Sequence, residues 1–136
     1  MKPAFLLDSS ACIAVLRNTA GLASLPDPAL TGIPVIVAAE LWTDVKKNLR
    51  THPHQAARLE AFLRIFRVEE FSVDAAIHYG EIRAALELAG TPIGLMDLLI
   101  AAQARSLGAT LVTANAREFR RVKGLRVRAW KRADGE

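Results

Sequence analysis

Three acidic side chains stand where an α/β chain places its chemistry. Asp8 follows the apolar run AFLL at residues 4–7, Glu40 follows IPVIVA at residues 33–38, and Asp97 opens the stretch MDLLIAAQARSLG at residues 96–108. The first two runs read as buried strands and the third as a helix. Each acid therefore falls at the C-terminal end of a strand or in the first turn of a helix, the edge at which open α/β sheets bind ligands. Carboxylates that converge there repel one another unless a cation lies between them. A hard ion taken through oxygen, Mg²⁺ or Mn²⁺, suits such a donor set. Ions held among carboxylates supply water activation and charge neutralisation for phosphodiester hydrolysis. Asn115, in the turn after the strand TLVT at residues 110–113, occupies a fourth equivalent position. Its amide oxygen is a weaker donor than a carboxylate.

Each of these residues also has a plainer reading. Asp8 could cap a helix, although Ser9 and Ser10 are available for that task. An acid in the first turn, as Glu40 is expected to be, complements the helix dipole. Asp44, four residues on, shares its face. Asn115 could be an ordinary turn asparagine. Asp97 is hardest to explain structurally, because its neighbours are Leu95, Met96, Leu98 and Leu99, and an acid in such a run needs a partner or a metal.

The elements that must position these residues follow from periodicity. Residues 4–7 form a short strand, followed by a helix through about Arg17. Residues 18–31, with Gly21, Pro26 and Pro28, read as a connection with one short turn of helix. The β-branched run Ile33 to Val37 predicts a second strand, with a helix from about Ala38 to Arg50. A further helix spans about Pro53 to Phe66, and residues 67–71 form a minor strand. Ser72 caps a helix to Leu88 that Gly90 stops. Another helix runs from about Leu95 to Leu107, ending at Gly108. TLVT is the third strong strand, and LRVRAW at residues 125–130 alternates as an edge strand. Strands alternating with helices imply a central, mainly parallel sheet flanked by α-helices. With 136 residues, 51% of them hydrophobic, and no internal repeat, a single domain over residues 1–136 is expected, its last few residues a flexible tail.

Charge and cysteine usage narrow the class. A single cysteine, Cys12, excludes an intramolecular disulfide and fits a reducing cytoplasm. No signal peptide is read at the N-terminus, and no apolar run reaches the roughly 20 residues of a membrane span. The net charge is +4, and eight of the 18 basic side chains fall within residues 117–132: Arg117, Arg120, Arg121, Lys123, Arg126, Arg128, Lys131 and Arg132. Glu118 alone opposes them. Such a cluster attracts a polyanion such as nucleic acid, and Arg117, Arg120, Arg121 and Lys123 are the candidate contacts. A solvated surface is the alternative. His52 and His54 read as surface residues and His78 as structural, while Trp42 and Trp130 read as core or interface.

Five segments resemble PIN-domain ribonucleases, and among them the VapC-type toxins of bacterial toxin–antitoxin pairs: FLLDSSACI (5–13), AAELW (38–42), HYGEIRAALELAGTPIG (78–94), PIGLMDLLIAAQA (92–104) and LVTANAREFRRVKGLRVRAW (111–130). They cover most of the chain in the family's order, and the last three are the specific ones. The resemblance implies a PIN-like α/β fold, divalent-metal-dependent endoribonuclease activity, a homodimer, and neutralisation by a small antitoxin protein in a hetero-oligomer. Asp8, Glu40 and Asp97 match the family's three acids. Asn115 matches the position at which many members carry a fourth aspartate, so one negative charge is missing there. Asp8 and Asp97 are then the primary metal ligands for Mg²⁺ or Mn²⁺, with Glu40 and Asn115 secondary.

Two other classes compete. A phosphate-monoester hydrolase or receiver-type phosphoacceptor also clusters acids on an α/β sheet, but Asp8 is followed by Ser-Ser-Ala rather than by a neighbouring acid. A non-catalytic RNA- or protein-binding domain of the same fold would bind RNA equally well in EDTA.

Overall fold

The computed structural model describes residues 2–17 and 21–130. Part of the connection at residues 18–20, Lys131 and Arg132 of the basic cluster, and the expected C-terminal tail lie outside these residues.

Five short strands build one sheet. β1 (Phe5–Leu7), β2 (Thr31–Pro34), β3 (Arg67–Glu69), β4 (Thr110–Thr113) and β5 (Arg126–Ala129) pair in the order β3-β2-β1-β4-β5, and every pairing is parallel. Parallel strands need crossovers, and helices supply them. They are α1 (Ser9–Leu16), α2 (Val35–Lys47), α3 (Gln55–Ile65), α4 (Val73–Leu88), α5 (Leu95–Leu107) and the single turn α6 (Ala116–Phe119). The expected α/β class and mainly parallel sheet are found, and here the sheet is parallel throughout.

The strand order sets the location of chemistry. From β1 the chain moves to β2 and β3 on one side, then returns to place β4 on β1's other side. The C-terminal ends of β1 and β4 therefore flank the point where the connections diverge, which opens a crevice. Asp8 follows β1 and Asn115 follows β4. Beneath the crevice Leu6, Leu7, Ile33, Ile100, Leu111, Val112 and Phe119 are essentially inaccessible to solvent. This core is a rigid base for the loops above it.

Two sequence expectations are corrected. The second strand ends at Pro34, and Val35–Val37 already belong to α2. Pro34 occupies the N-cap position with φ −57°, a geometry its ring favours. Tertiary burial of Thr31–Pro34 overrides the β propensity of the three residues that follow. Gly32 packs closely within that strand, since a Cβ there would lie 2.7 Å from Glu69 Cγ and 3.2 Å from Leu6 Cδ2 and would force those side chains to shift. The second correction concerns the first helix. Neither serine caps it; Asp8 does, its Oδ1 accepting from the Ala11 N–H at 3.1 Å. The other caps follow the sequence. Ser72 accepts from the Ala75 N–H to start α4, and Gly108 ends α5 in the left-handed region at φ 66°.

Candidate active site

Asp8 is 3% exposed and held by three hydroxyl and amide donors. Ser10 Oγ donates to Oδ1 at 2.6 Å, the Ala11 N–H donates to the same oxygen, and Thr113 Oγ1 donates to Oδ2. Thr113 comes from the end of β4, so this last bond ties the two central strands together at the crevice. Ser10 Oγ also accepts from the Ala114 N–H at 2.9 Å, and Thr113 Oγ1 from the Asn115 N–H at 2.9 Å. The network fixes the carboxylate's orientation. Burial nevertheless pushes the Asp8 carboxyl above its ordinary value, against the lowering effect of these donors. A carboxylate offers about four lone-pair sites. Asp8 can thus cap the helix and still present an oxygen to a cation.

Glu40 and Asp97 face the same space. Burial raises the Glu40 carboxyl, and the charges of Asp97 and Asp8 raise it further. Because α2 starts at Val35, Glu40 lies in the second turn, not the first. The dipole effect fades beyond the first turn, so it does not account for this acid. Glu40 Oε1 is buried without a hydrogen-bond partner among the described residues. Burying such an acceptor unpaired costs about 1–3 kcal/mol. Asp97, in the first turn of α5, is raised by burial, then by the charge of Glu118, then by that of Asp8. Ala101 and Ala104, on the following turns of α5, are fully buried in the core.

Glu118 is the residue that sequence reasoning missed. It reads as a lone counter-charge inside a basic run, yet its carboxyl lies within hydrogen-bond reach of Asp97's. Two carboxyls can share such a bond only by sharing a proton, or by exchanging it for a cation. The signal available in the sequence is position. Glu118 comes three residues after Asn115, and the one-turn helix α6, which was not anticipated, swings it back over the crevice. Asn115 starts that helix, but its side chain makes no capping bond, and among the described residues its amide bonds to none of the acids. Glu118, from the next turn, thus brings a further carboxyl beside Asp97. The substitution Glu118→Gln is accordingly expected to raise the Mn²⁺ concentration for half-maximal cleavage by about tenfold or more, as loss of a ligand-supporting carboxylate does. Asn115→Asp is expected to shift it less, in the opposite direction. A metal titration of both variants compares them directly.

The donor set fits a hard divalent cation. All the groups are carboxylate oxygens, they raise one another's proton affinity, and one buried oxygen lacks a partner. Among the described residues no three of these groups stand close enough together to grip an ion in the present side-chain positions.

Among the described residues, the members of the basic cluster have different partners. Arg126 donates to the Gly108 carbonyl, and Arg128 lies over the Phe5 ring at 5.7 Å. Arg121 donates to the Pro92 carbonyl at 3.2 Å, beside the N-terminus of α5. Arg117, Arg120 and Lys123 are exposed. Of the other residues singled out, His78 is indeed structural, its Nδ1 accepting from Arg105 Nε at 2.8 Å. His52 and His54 are exposed, and Cys12 is fully buried. Trp42 and Trp130 are half-buried.

Comparison with known proteins agrees with this geometry. The family model for the PIN domain matches residues 5–125. The chain is 33% identical to the tRNA(fMet)-specific endonuclease VapC of Salmonella typhimurium over 135 residues, which cover 93% of this chain and 97% of that protein. It is 34% identical over 131 residues to the ribonuclease VapC2 of Rickettsia felis, again covering 93% and 97%. In three dimensions it superimposes on a chain of the DNA-bound VapBC complex of Salmonella typhimurium with a TM-score of 0.85, at 33% identity and covering 95% and 99% of the two chains. The corresponding values for VapBC2 of Rickettsia felis are 0.83, 31%, 93% and 98%. With a matched domain that spans nearly the whole chain, and relatives that share both its sequence and its fold from end to end, this protein belongs to the PIN-domain family and, within it, to the VapC group.

Proposed function

We propose that this chain is the toxin of a toxin–antitoxin pair, an endoribonuclease that cuts RNA phosphodiester bonds with a divalent cation, Mg²⁺ or Mn²⁺, and acts in the cytoplasm as a single domain. The observation that carries the reading is the convergence of Asp8, Glu40, Asp97 and Glu118 on one crevice, where burial raises the first three and acidic neighbours raise Glu40 and Asp97 further. Asp8 and Asp97 would hold the ion, with Glu40 and Glu118 supporting it and Asn115 at the rim. When bound, the ion supplies Lewis-acid polarisation of the phosphate and activation of water. The protein's own contribution is positional. Ser10 and Thr113 lock Asp8, α5 presents Asp97 from a fixed first turn, and Glu40 offers its unpaired oxygen as acceptor for a water proton. RNA fits the fold's relatives and the net positive charge. Arg117, Arg120, Arg121 and Lys123 would attract it past the acids.

The test is cleavage of a tRNA pool by the purified chain. Cutting is expected in Mn²⁺ or Mg²⁺, to stop in EDTA, and to leave 5′-phosphate and 3′-hydroxyl ends, with water adding to phosphorus as the bond to the 3′-oxygen breaks. Undiminished cutting in EDTA, with 2′,3′-cyclic phosphate ends, would indicate attack by the RNA's own 2′-hydroxyl and overturn the reading.

Two protein partners belong to it. A small antitoxin would lay an apolar segment into the groove between α1, α2 and α3, lined by Ile13, Leu16, Leu41, Val45 and Leu59. Leu22 and Ile65, 44% and 40% exposed, extend that apolar surface. Leu41 and Leu59 form the floor of that groove and Phe62 lies in the core beside it, each no more than 4% exposed. A second copy of the chain would cover the face of α4 carrying Val73, Ile77 and Leu88, which are 82%, 59% and 89% exposed. Light scattering separates the two surfaces. Ile77→Asp is expected to give a monomer that still binds antitoxin. Leu22→Asp with Ile65→Asp is expected to weaken antitoxin binding about tenfold while leaving the dimer. The reverse pattern would exchange the assignments.

A further inference from the structure

A second cleft, away from the acids, has an apolar floor and a cationic rim. It has a volume of about 260 Å³ and lies between α4, the C-terminal half of α5 and the turn that joins α6 to β5. Ile82, Leu86 and Val122 form the floor, each at most 5% exposed. Thr91, Arg105, Arg121 and Lys123 stand around it.

The three cations are held differently. Arg105 is a structural anchor. It donates to Glu81 at 2.6 Å, to His78 Nδ1, and to the Lys123 carbonyl at 3.1 Å, so it fixes the turn that carries Lys123. Arg121 is oriented by the neutral Pro92 carbonyl. Among the described residues, no carboxylate pairs with Arg121 or Lys123. Two uncompensated cations of fixed backbone position over an apolar floor suit an anionic ligand with a nonpolar part.

The cleft's location identifies that ligand. Arg121 follows Glu118 by three residues, and Pro92 precedes the turn that bears Asp97. Arg121 donates to that Pro92 carbonyl and Glu118 interacts with Asp97, so the Arg121 side of the cleft is the side linked to the acids. The cleft's other end, at Arg105, is eight residues further along α5, about 12 Å at a rise of about 1.5 Å per residue. The acids themselves repel a polyanion, so attraction must come from flanking positions.

We infer that this cleft is a subsite for a nucleotide of the RNA strand next to the cut. The phosphate lies between Arg121 and Lys123, and the sugar edge rests on Ile82, Leu86 and Val122. This rests on the ribonuclease reading and refines it. It selects two members of the basic cluster as strand contacts and leaves Arg126 and Arg128 as structural residues of the sheet edge.

Fluorescence anisotropy of a labelled single-stranded RNA, measured in EDTA across a salt series, tests the assignment without cleavage. The double variant Arg121→Gln, Lys123→Ala is expected to bind about tenfold more weakly at low salt. The slope of log affinity against log salt should shrink by about 1.4, about 0.7 for each phosphate released. A control, Lys47→Ala with Arg50→Ala, removes the same charge from exposed positions on and after α2 and is expected to keep the parental slope. Equal losses in the two double variants would mean net charge alone attracts RNA, and would overturn the subsite. So would a double variant with unchanged slope and a parental melting temperature. If inorganic phosphate binds the parent and not the variant while the RNA slope is unchanged, the cleft serves a free anion and the RNA assignment falls. Each of these results leaves the metal-dependent cleavage of the parent as a separate question, decided in Mn²⁺ against EDTA.

Discussion

Asp97→Asn protein is expected to fold like its parent and to cut RNA at least about a hundredfold more slowly. The replacement is nearly isosteric, so the packing of Leu98 and Ile100 in the core is untouched. What is lost is a charge. Changes to groups that merely support a metal ligand cost about 10- to 100-fold, and loss of a ligand itself exceeds that. Asp8→Asn should be at least as damaging, because the single amide oxygen can keep either the bonds from Ser10 and Ala11 or the bond from Thr113, not both. Its NH₂ would then face a donor, Ser10 or Thr113. Circular dichroism and a cleavage time course on the same preparations separate loss of chemistry from loss of fold. Parental cleavage rates from well-purified Asp97→Asn protein would remove this residue from the site.

The second large effect concerns stability and its dependence on pH. In the ion-free protein, burial raises the Asp8, Glu40 and Asp97 carboxyls, and acidic neighbours raise Glu40 and Asp97 further. A raised carboxyl favours folding while it is protonated in both states. That contribution is fully present below the unfolded value, near pH 4, and is lost as pH rises through the higher folded value. Ion-free protein should therefore lose stability relative to its Asp97→Asn variant as pH is raised from about 4 toward neutrality, since the variant lacks one of the repelling charges. Melting temperatures in EDTA across that range measure the difference between the two. Mn²⁺ should raise the melting temperature of the parent at neutral pH and leave the variant nearly unchanged, because a ligand stabilises only the state that binds it. A gap between parent and variant that is constant with pH would show that the acids do not interact.

The sequence made some of this site legible and concealed the rest for physical reasons. Asp8 and Asp97 could be read because each interrupts a strongly apolar run, and an ionisable group in such a run demands a partner. The limits of α5 and β4 match their sequence expectations, since Gly108 and the TLVT run give unambiguous local signals. Glu40 was assigned to the wrong turn. Its strand and helix meet inside a β-branched run, where propensity points to a strand and burial decides otherwise. Serines beside Asp8 make its capping role look dispensable in sequence, yet one carboxylate both caps α1 and faces the crevice. Glu118 could not be seen from charge patterning, because its neighbours in sequence are cations and its neighbour in space is Asp97, 21 positions earlier in the chain. Only the one-turn helix after β4 brings them together, and a four-residue helix leaves almost no periodic trace.

The claim on which the account rests is that these acids hold a divalent cation, and calorimetric titration with Mn²⁺ tests it most directly. The parent is expected to bind Mn²⁺, and Asp8→Asn and Asp97→Asn proteins with parental folds are expected to show no measurable heat under the same conditions. Mn²⁺ binding of unchanged affinity in either variant, or no binding to a parent that still cuts RNA, would contradict it.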